Sequence, residues 1–220
     1  MDAGHFVSVL CEEQVEIAGA QVGRFEAACR HYEEIRWFRD GLPHLSDLCQ
    51  TNTATSVNSE SALATLKQAE CDVAISFGTC WIRDDALSLL PNQRWNLHGG
   101  DPQKYRGLDS HLWALYHDDP GSLVTTVHSL APDLDAGDII AGSRIDITSV
   151  PELHMLRAAN TDLAVQLVKG SLGHLEAVGT VPCMPQATVG RYYSALPGSL
   201  WVRCARNYAT AVDLPTGRRW

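Results

Sequence analysis

The alternation of helical stretches with short, continuously apolar runs constrains this chain more than any other feature. Ser61 to Ala69 has a helical pattern, with Asn58 and Ser59 supplying N-cap chemistry, and Cys71 to Phe77 (CDVAISF) follows it as a strand. Asp84 to Leu90 is helical again, Pro91 and Asn92 turn the chain, and Arg94 to His98 (RWNLH) is the next strand, ending in Gly99-Gly100. A strand that reads apolar along its length is covered on both faces, and parallel neighbours need a crossover helix between them. The rhythm therefore predicts an α/β chain with a mostly parallel sheet.

The flanking segments extend this reading. Phe6 to Cys11 (FVSVLC) is a strand preceded by Asp2-Ala3-Gly4, which reads as the end of a helix, so the fold is expected to begin with its first strand and helix missing. Val22, Phe25, Cys29 and Tyr32 mark a helix within Val15 to Asp40, broken by Gly41 and Pro43. A further helix is expected around Ser110 to His117. Leu123 to Leu130 (LVTTVHSL) alternates as a half-exposed antiparallel strand would, and Asp138 to Ile147 is a strand beyond the turn PDLDAG. Ser149-Val-Pro-Glu152 reads as a capping box opening a long helix from Pro151 to Val178, with Gly179 as its stop. The organisation expected is a catalytic domain over residues 1–179 and a C-terminal extension over 180–220 that packs back or meets a partner subunit.

Composition narrows the function classes. A length of 220 residues with 45% hydrophobic and 20% charged residues suits one soluble domain, and no apolar run approaches membrane-spanning length. With no basic n-region ahead of an apolar run, the chain is expected in the cytoplasm. A net charge of -9 argues against a polymeric nucleic acid as partner. The seven cysteines are odd in number and never form CxxC, which reads as reduced thiols with no zinc site and no disulfide frame.

Three polar residues converge if the sheet is built this way. Asn96 and His98 lie two apart at the C-terminal end of a strand and project on one face, into the crevice where open α/β sheets place ligands; Asp135 lies in the turn between two later strands. A carboxamide can donate to a developing oxyanion, an imidazole can exchange protons near neutral pH, and a carboxylate can orient the imidazole and raise its pKa. That set suits direct attack of an amine on a carbonyl carbon. The plainer alternative has Asn96 and His98 capping a strand end and Asp135 making an Asx-turn. His111, Trp113 and Tyr116 read as core or interface aromatics, and His128 reads first as a satisfied strand histidine. Tyr192 and Tyr193 could stack on an acceptor's base, with core or dimer packing as the competing role.

The stretch NLHGGDPQKYRGLDSHLWAL, followed by VTTVHSLAPDLDAGDIIAG, resembles the core signature of the folate-dependent formyltransferases and is closest in motif to the sugar N-formyltransferases. The resemblance covers residues 70–147 well. It implies the family's Rossmann-like fold, with Asn96, His98 and Asp135 as catalytic residues and 10-formyltetrahydrofolate as co-substrate. It implies a pterin held by the loop Gly78, Thr79, Cys80, Trp81 and Ile82, closed on its other side by Leu130, Asp133 and Leu134. Tyr105 and Arg106, in the YRG motif, and Tyr193 become candidate acceptor contacts, with Arg106 reading first as structural and Gly107 as a tight turn at the mouth of the site. No metal is implied.

Within that family, a tRNA formyltransferase is expected to carry a basic RNA-binding domain, and the purine-pathway enzyme a glycine-rich turn after its first strand; neither is present in these residues. The expectation is therefore N-formylation of a nucleotide-linked amino sugar, of the dTDP- or GDP-4-amino-4,6-dideoxyhexose type, in surface-polysaccharide (O-antigen) synthesis, by a homodimer. A non-catalytic binding relative, a 10-formyltetrahydrofolate hydrolase and a methionyl-tRNA formyltransferase-like enzyme remain alternatives.

Overall fold

The computed structural model describes residues 4–13, 22–39 and 41–213. In chain order its elements are β1 (Ser8–Glu12), α1 (Val22–Trp37), α2 (Leu45–Leu48), β2 (Gln50–Ala54), α3 (Glu60–Gln68), β3 (Val73–Phe77), α4 (Asp84–Leu87) and β4 (Gln93–His98). Then come β5 (Tyr105–Gly107), α5 (Ser110–Tyr116), β6 (Val124–Ser129), β7 (Ile139–Arg144), α6 (Leu156–Val178), β8 (Arg191–Tyr193) and α7 (Trp201–Val212). A four-stranded sheet in the order β3-β4-β6-β7 forms the centre. Its β3–β4 pair is parallel, whereas β6 and β7 each run antiparallel to the preceding neighbour. The parallel pairs β1–β2 and β5–β8 stand as separate two-stranded ladders, so parallel pairing prevails over the described strands.

Most expected elements form near their predicted bounds, and the departures have local causes. Strand β1 begins at Ser8, two residues after Phe6, and the part of the first predicted helix over residues 14–21 lies outside the described residues. Strand β2 (QTNTA) was not expected, because it has no apolar run; it forms by pairing along the whole of β1. Ser59 caps α3, its Oγ accepting from the Ala62 amide at 3.3 Å.

The predicted capping box is corrected. Ser149 does not cap a helix: it ends a 3-10 turn at Ile147–Ser149, and its Oγ donates to the Asp146 carbonyl at 2.7 Å. The Asp146 carboxylate takes the Thr148 amide and hydroxyl, Glu152 is extended, and the long helix starts only at Leu156. Gly179 ends it as expected, in the left-handed region at φ 81° with its amide on the Leu175 carbonyl.

Two features bear on the expected gap in the sheet. Among the described strands β1 pairs only with β2, and β3 pairs only with β4. Ile75 and Phe77 of β3 are 42% and 58% exposed, although their sequence is that of a covered strand.

The C-terminal segment joins the main core. Leu196, Cys204 and Tyr208 pack with Ala114, Leu115, Leu123 and Leu156, and β8 pairs with β5. The boundary expected at residue 179 therefore crosses one continuous core. A second cluster, on Trp95, Val127 and Ile140, packs under the outer half of α6 and seats β4 and β6 on the helix. That packing fixes the strand whose end carries Asn96 and His98.

Candidate active site

One cross-strand row organises the site. The parallel register places Ser76 of β3 beside Asn96 of β4, and the antiparallel register places His128 of β6 on its other side. Ser76 Oγ donates to Asn96 Oδ1 at 2.6 Å, which turns the amide so that Nδ2 meets His128 Nε2 at 3.1 Å. His128 Nδ1 donates to the Ser129 carbonyl at 2.9 Å, leaving Nε2 to accept from Asn96. Asn96 Nδ2 also lies 3.4 Å from Asp135 Oδ1.

Two residues further along β4, His98 is buried and its Nε2 donates to the Tyr105 carbonyl at 2.8 Å, with Ser110 Oγ at 3.3 Å. That bond leaves Nδ1 as the open nitrogen, and it faces Asp135 Oδ2 at 3.6 Å. Asp135 sits in the left-handed region at φ 50° within the turn between β6 and β7. Its Oδ2 accepts the Gly107 amide at 2.7 Å, and its Oδ1 lies 3.5 Å from His128 Nε2. Gln186 Nε2 donates to the Asp135 and Gly137 carbonyls, both at 2.8 Å, and so holds the turn from outside. Gly137 is required there, since a Cβ would stand 1.7 Å from the Ser129 carbonyl oxygen.

The electrostatics set the charge of the cluster, and Asp135 acts on His98 in the expected direction. Burial pushes the His98 imidazole below its ordinary value, and the nearby Asp135 charge opposes this without reversing it, so the ring is neutral at pH 7. Burial alone would raise Asp135; its polar surroundings, the Gly107 amide at 2.7 Å among them, outweigh that and hold it below the ordinary carboxylate range. A neutral imidazole with one open nitrogen, an ionised carboxylate and a carboxamide N–H thus face one point. The set can accept a proton from a nucleophile and stabilise a developing oxyanion.

The structure brings Asn96, His98 and Asp135 together and adds His128, which the sequence reading treated as an ordinary strand histidine. The other site residues divide. Trp81 is 58% exposed, and its Nε1 donates to the Pro132 carbonyl at 2.9 Å, tying the loop 78–82 to the segment 130–134. Cys80, Gly78 and Asp133 are exposed, and Thr79 and Leu134 are half-buried. Ile82 points inward against Val57, Ala86 and Leu87, and Leu130 packs on the same cluster, so these two side chains support the loops from behind.

The side chains of the YRG motif are engaged within the protein. Arg106 is buried, with Nε on the Pro102 carbonyl and a guanidinium nitrogen on Gln186 Oε1, so it braces the Asp135 turn. The Tyr105 ring is buried with its hydroxyl on Asp119; its carbonyl is what reaches the site, through His98. Tyr193 lies in an aromatic cluster with Tyr105, Trp113 and His117, its hydroxyl 3.2 Å from His117 Nε2. Tyr192 is instead 60% exposed and lies over Gly107, whose amide Asp135 holds.

Among the described residues no group of three or more His, Cys, Asp or Glu is placed to hold a metal, and no helix is long and apolar enough to cross a membrane. A cavity of about 330 Å³ lined by Tyr32, Arg36 and Asp162 lies between α1 and α6, away from this cluster.

No protein-family model matches the chain. Solved structures share its fold. The formyltransferase PseJ from Anoxybacillus kamchatkensis, in complex with UDP-4,6-dideoxy-4-formamido-L-AltNAc and tetrahydrofolate, is 18% identical with a TM-score of 0.56, over 86% of this chain and 85% of that one. The N-formyltransferase from Helicobacter canadensis, in complex with folinic acid and dTDP-3-aminofucose, is 13% identical with a TM-score of 0.56, over 86% of this chain and 80% of that one. A variant of HypX from Aquifex aeolicus is 15% identical with a TM-score of 0.60, over 96% of this chain but 36% of that one. The chain thus has the formyltransferase fold, with a mixed α/β architecture.

Proposed function

We propose that this chain is a folate-dependent N-formyltransferase that moves a formyl group from 10-formyltetrahydrofolate to the amine of a nucleotide-linked amino sugar. The observation that carries this reading is the convergence of Asn96, His98 and Asp135 at the C-terminal end of β4, in a fold shared with formyltransferases whose structures hold folates and nucleotide sugars. The loops 78–82 and 130–134, joined through Trp81, offer an exposed indole on the segment that leads to Asp135, a chemistry suited to a flat pterin. When bound, 10-formyltetrahydrofolate supplies the formyl carbon on which the amine acts.

The residues divide the work. Asn96 Nδ2 donates to the formyl oxygen as negative charge develops there, exchanging its long contact with Asp135 for that bond. His98 Nδ1 takes a proton from the amine nitrogen as the new N–C bond forms. Asp135 stabilises the imidazolium, and His98 then returns the proton to the folate nitrogen, which leaves with the electron pair of the broken C–N bond. His128 fixes the Asn96 amide in its donating orientation.

The test incubates the protein with 10-formyltetrahydrofolate, with and without dTDP-, GDP- or UDP-linked amino sugars, and follows tetrahydrofolate release. Release that requires a sugar supports transfer. Release without a sugar assigns the hydrolase reading, and folate binding with no release assigns a non-catalytic role. An acidic chain of net charge -9 disfavours tRNA as the acceptor. Cytoplasmic location and a homodimer belong to the same proposal; sedimentation tests the second.

A further inference from the structure

Glu12 ends β1, in the two-stranded ladder that shares no hydrogen-bonded strand with the central sheet among the described residues. Its carboxylate nevertheless accepts three donors from two other segments: the Val57 amide at 2.6 Å, the Cys80 amide at 2.7 Å and the Cys80 thiol at 2.9 Å. Asn58, in the turn after β2, completes a clamp on the same loop. Its Nδ2 donates to the Trp81 carbonyl at 2.8 Å and its Oδ1 accepts the Arg83 amide at 2.8 Å. Ser56 Oγ lies 3.3 Å from Cys80 Sγ. The segment Cys80–Arg83 is therefore held by Glu12 of β1 and by Ser56 and Asn58 of the turn after β2, while the Trp81 indole reaches to Pro132, three residues before Asp135.

We infer that Glu12 and Asn58 are positioning residues that preset the loop Gly78–Ile82 for the folate, so that β1 and the turn after β2 act on the site through these two side chains. The inference rests on the folate reading above. A loop ordered before binding need not be ordered at the expense of affinity, so loss of the clamp weakens folate binding and leaves the proton-transfer groups intact. Three charge-assisted or short bonds converge on one carboxylate, and Glu12→Gln removes the charge while one amide oxygen can accept only part of that set. The thiol reports on the clamp independently. Cys80 is exposed as a residue, and partial desolvation of its thiol together with the bond to the Glu12 carboxylate holds it above its ordinary pKa, which slows alkylation.

The experiment compares wild type with Glu12→Gln and Asn58→Ala, using Glu13→Gln as a control on the neighbouring exposed carboxylate. Tetrahydrofolate affinity is read by quenching of tryptophan fluorescence, and Cys80 labelling by N-ethylmaleimide is read by peptide mass spectrometry. The expected result is a loss of tetrahydrofolate affinity of roughly tenfold in both clamp variants, with kcat at saturating folate within about twofold. Cys80 labelling is expected to rise several-fold in Glu12→Gln alone, and bound tetrahydrofolate is expected to slow labelling of wild type further. If wild type binds tetrahydrofolate and the clamp variants bind it equally well, the positioning role is overturned. If wild type does not bind it, the folate reading falls, and this role with it. Should Glu12→Gln fail to fold, Asn58→Ala acts on the other half of the clamp and decides the matter.

Discussion

The substitution Asp135→Asn isolates the charge at the centre of the cluster. The introduced carboxamide oxygen can still accept the Gly107 amide now held at 2.7 Å, so the turn and its Gln186 brace persist. What is lost is a negative charge 3.6 Å from His98 Nδ1. At that separation and an effective dielectric of about 20, an imidazolium gains roughly 4–5 kcal/mol from the carboxylate. His98 is neutral before reaction and cationic once it has taken the proton, so this energy counts only in the later state. With the proton half transferred at the transition state the loss is about 2 kcal/mol, or roughly 30-fold in rate; with transfer complete it reaches roughly a thousandfold or more. Single-turnover release of tetrahydrofolate at saturating acceptor measures it, and the thermal midpoint checks that the fold persists. A folded Asp135→Asn protein with a rate within threefold of wild type would refute the role given to this charge.

Other outcomes follow from the same coordinates. Burial drives His111 down to about 4, so between pH 6.5 and 4 the unfolded chain binds more protons than the folded one; stability is expected to fall on acidification by up to about 3 kcal/mol, and His111→Gln should flatten urea-melt midpoints over that range. Gly107→Ala places a Cβ 2.2 Å from the Tyr193 carbonyl at φ 91°, and is expected to cost at least about 2 kcal/mol and to displace the amide that Asp135 accepts. Gly170→Ala and Gly173→Ala, in α6 where a Cβ meets nothing within 4 Å, should each stabilise by up to about 1 kcal/mol, read as an upward shift in the same melts. Tyr192→Ala should raise the acceptor KM several-fold with little change in kcat, whereas Tyr193→Ala should lower the melting temperature, because only the Tyr192 ring faces solvent above Gly107.

The parts of the site that a sequence exposes are those governed by local rules. Asn96 and His98 were legible because strand alternation puts i and i+2 on one face, and Asp135 because LDAGD reads as a turn between strands. His128 was not, because its partner is set by the antiparallel register of β6 on β4, and no local pattern states which residues of two strands lie opposite. Glu12 was hidden for a related reason: a single acidic residue ending an apolar strand carries no signal that two distant segments donate to it. Strand β2 was missed because QTNTA has no apolar period, and the capping box failed because the Ser149 hydroxyl is engaged as a donor to Asp146. Arg106 carried both a structural and an acceptor-contacting reading, and Tyr105 only the second. Their motif acts through a buried guanidinium brace and a backbone carbonyl, which a list of polar side chains does not distinguish from substrate contacts.

Distances within the cluster separate scaffold from chemistry. The bonds that orient each group are short: 2.6 Å from Ser76 to Asn96, 2.7 Å from Gly107 to Asp135, 2.8 Å from His98 to Tyr105 and 2.9 Å from His128 to Ser129. The contacts of Asp135 with its three neighbours are long, 3.4 Å to Asn96, 3.6 Å to His98 and 3.5 Å to His128. A buried polar set assembled for stability alone would close its internal contacts, since an imperfectly paired buried charge is costly. Here every group is pinned by an outside partner while the contacts that meet at Asp135 stay open, the arrangement that lets an incoming oxygen and amine take those positions without reorienting the donors. Adding Ser76→Ala to Asn96→Ala should therefore cost little beyond Asn96→Ala itself, because the serine acts only through the amide it aims. Independent, additive losses in tetrahydrofolate release from the two substitutions would mean that Ser76 has some other role and that the short bond at 2.6 Å is not what orients the donor.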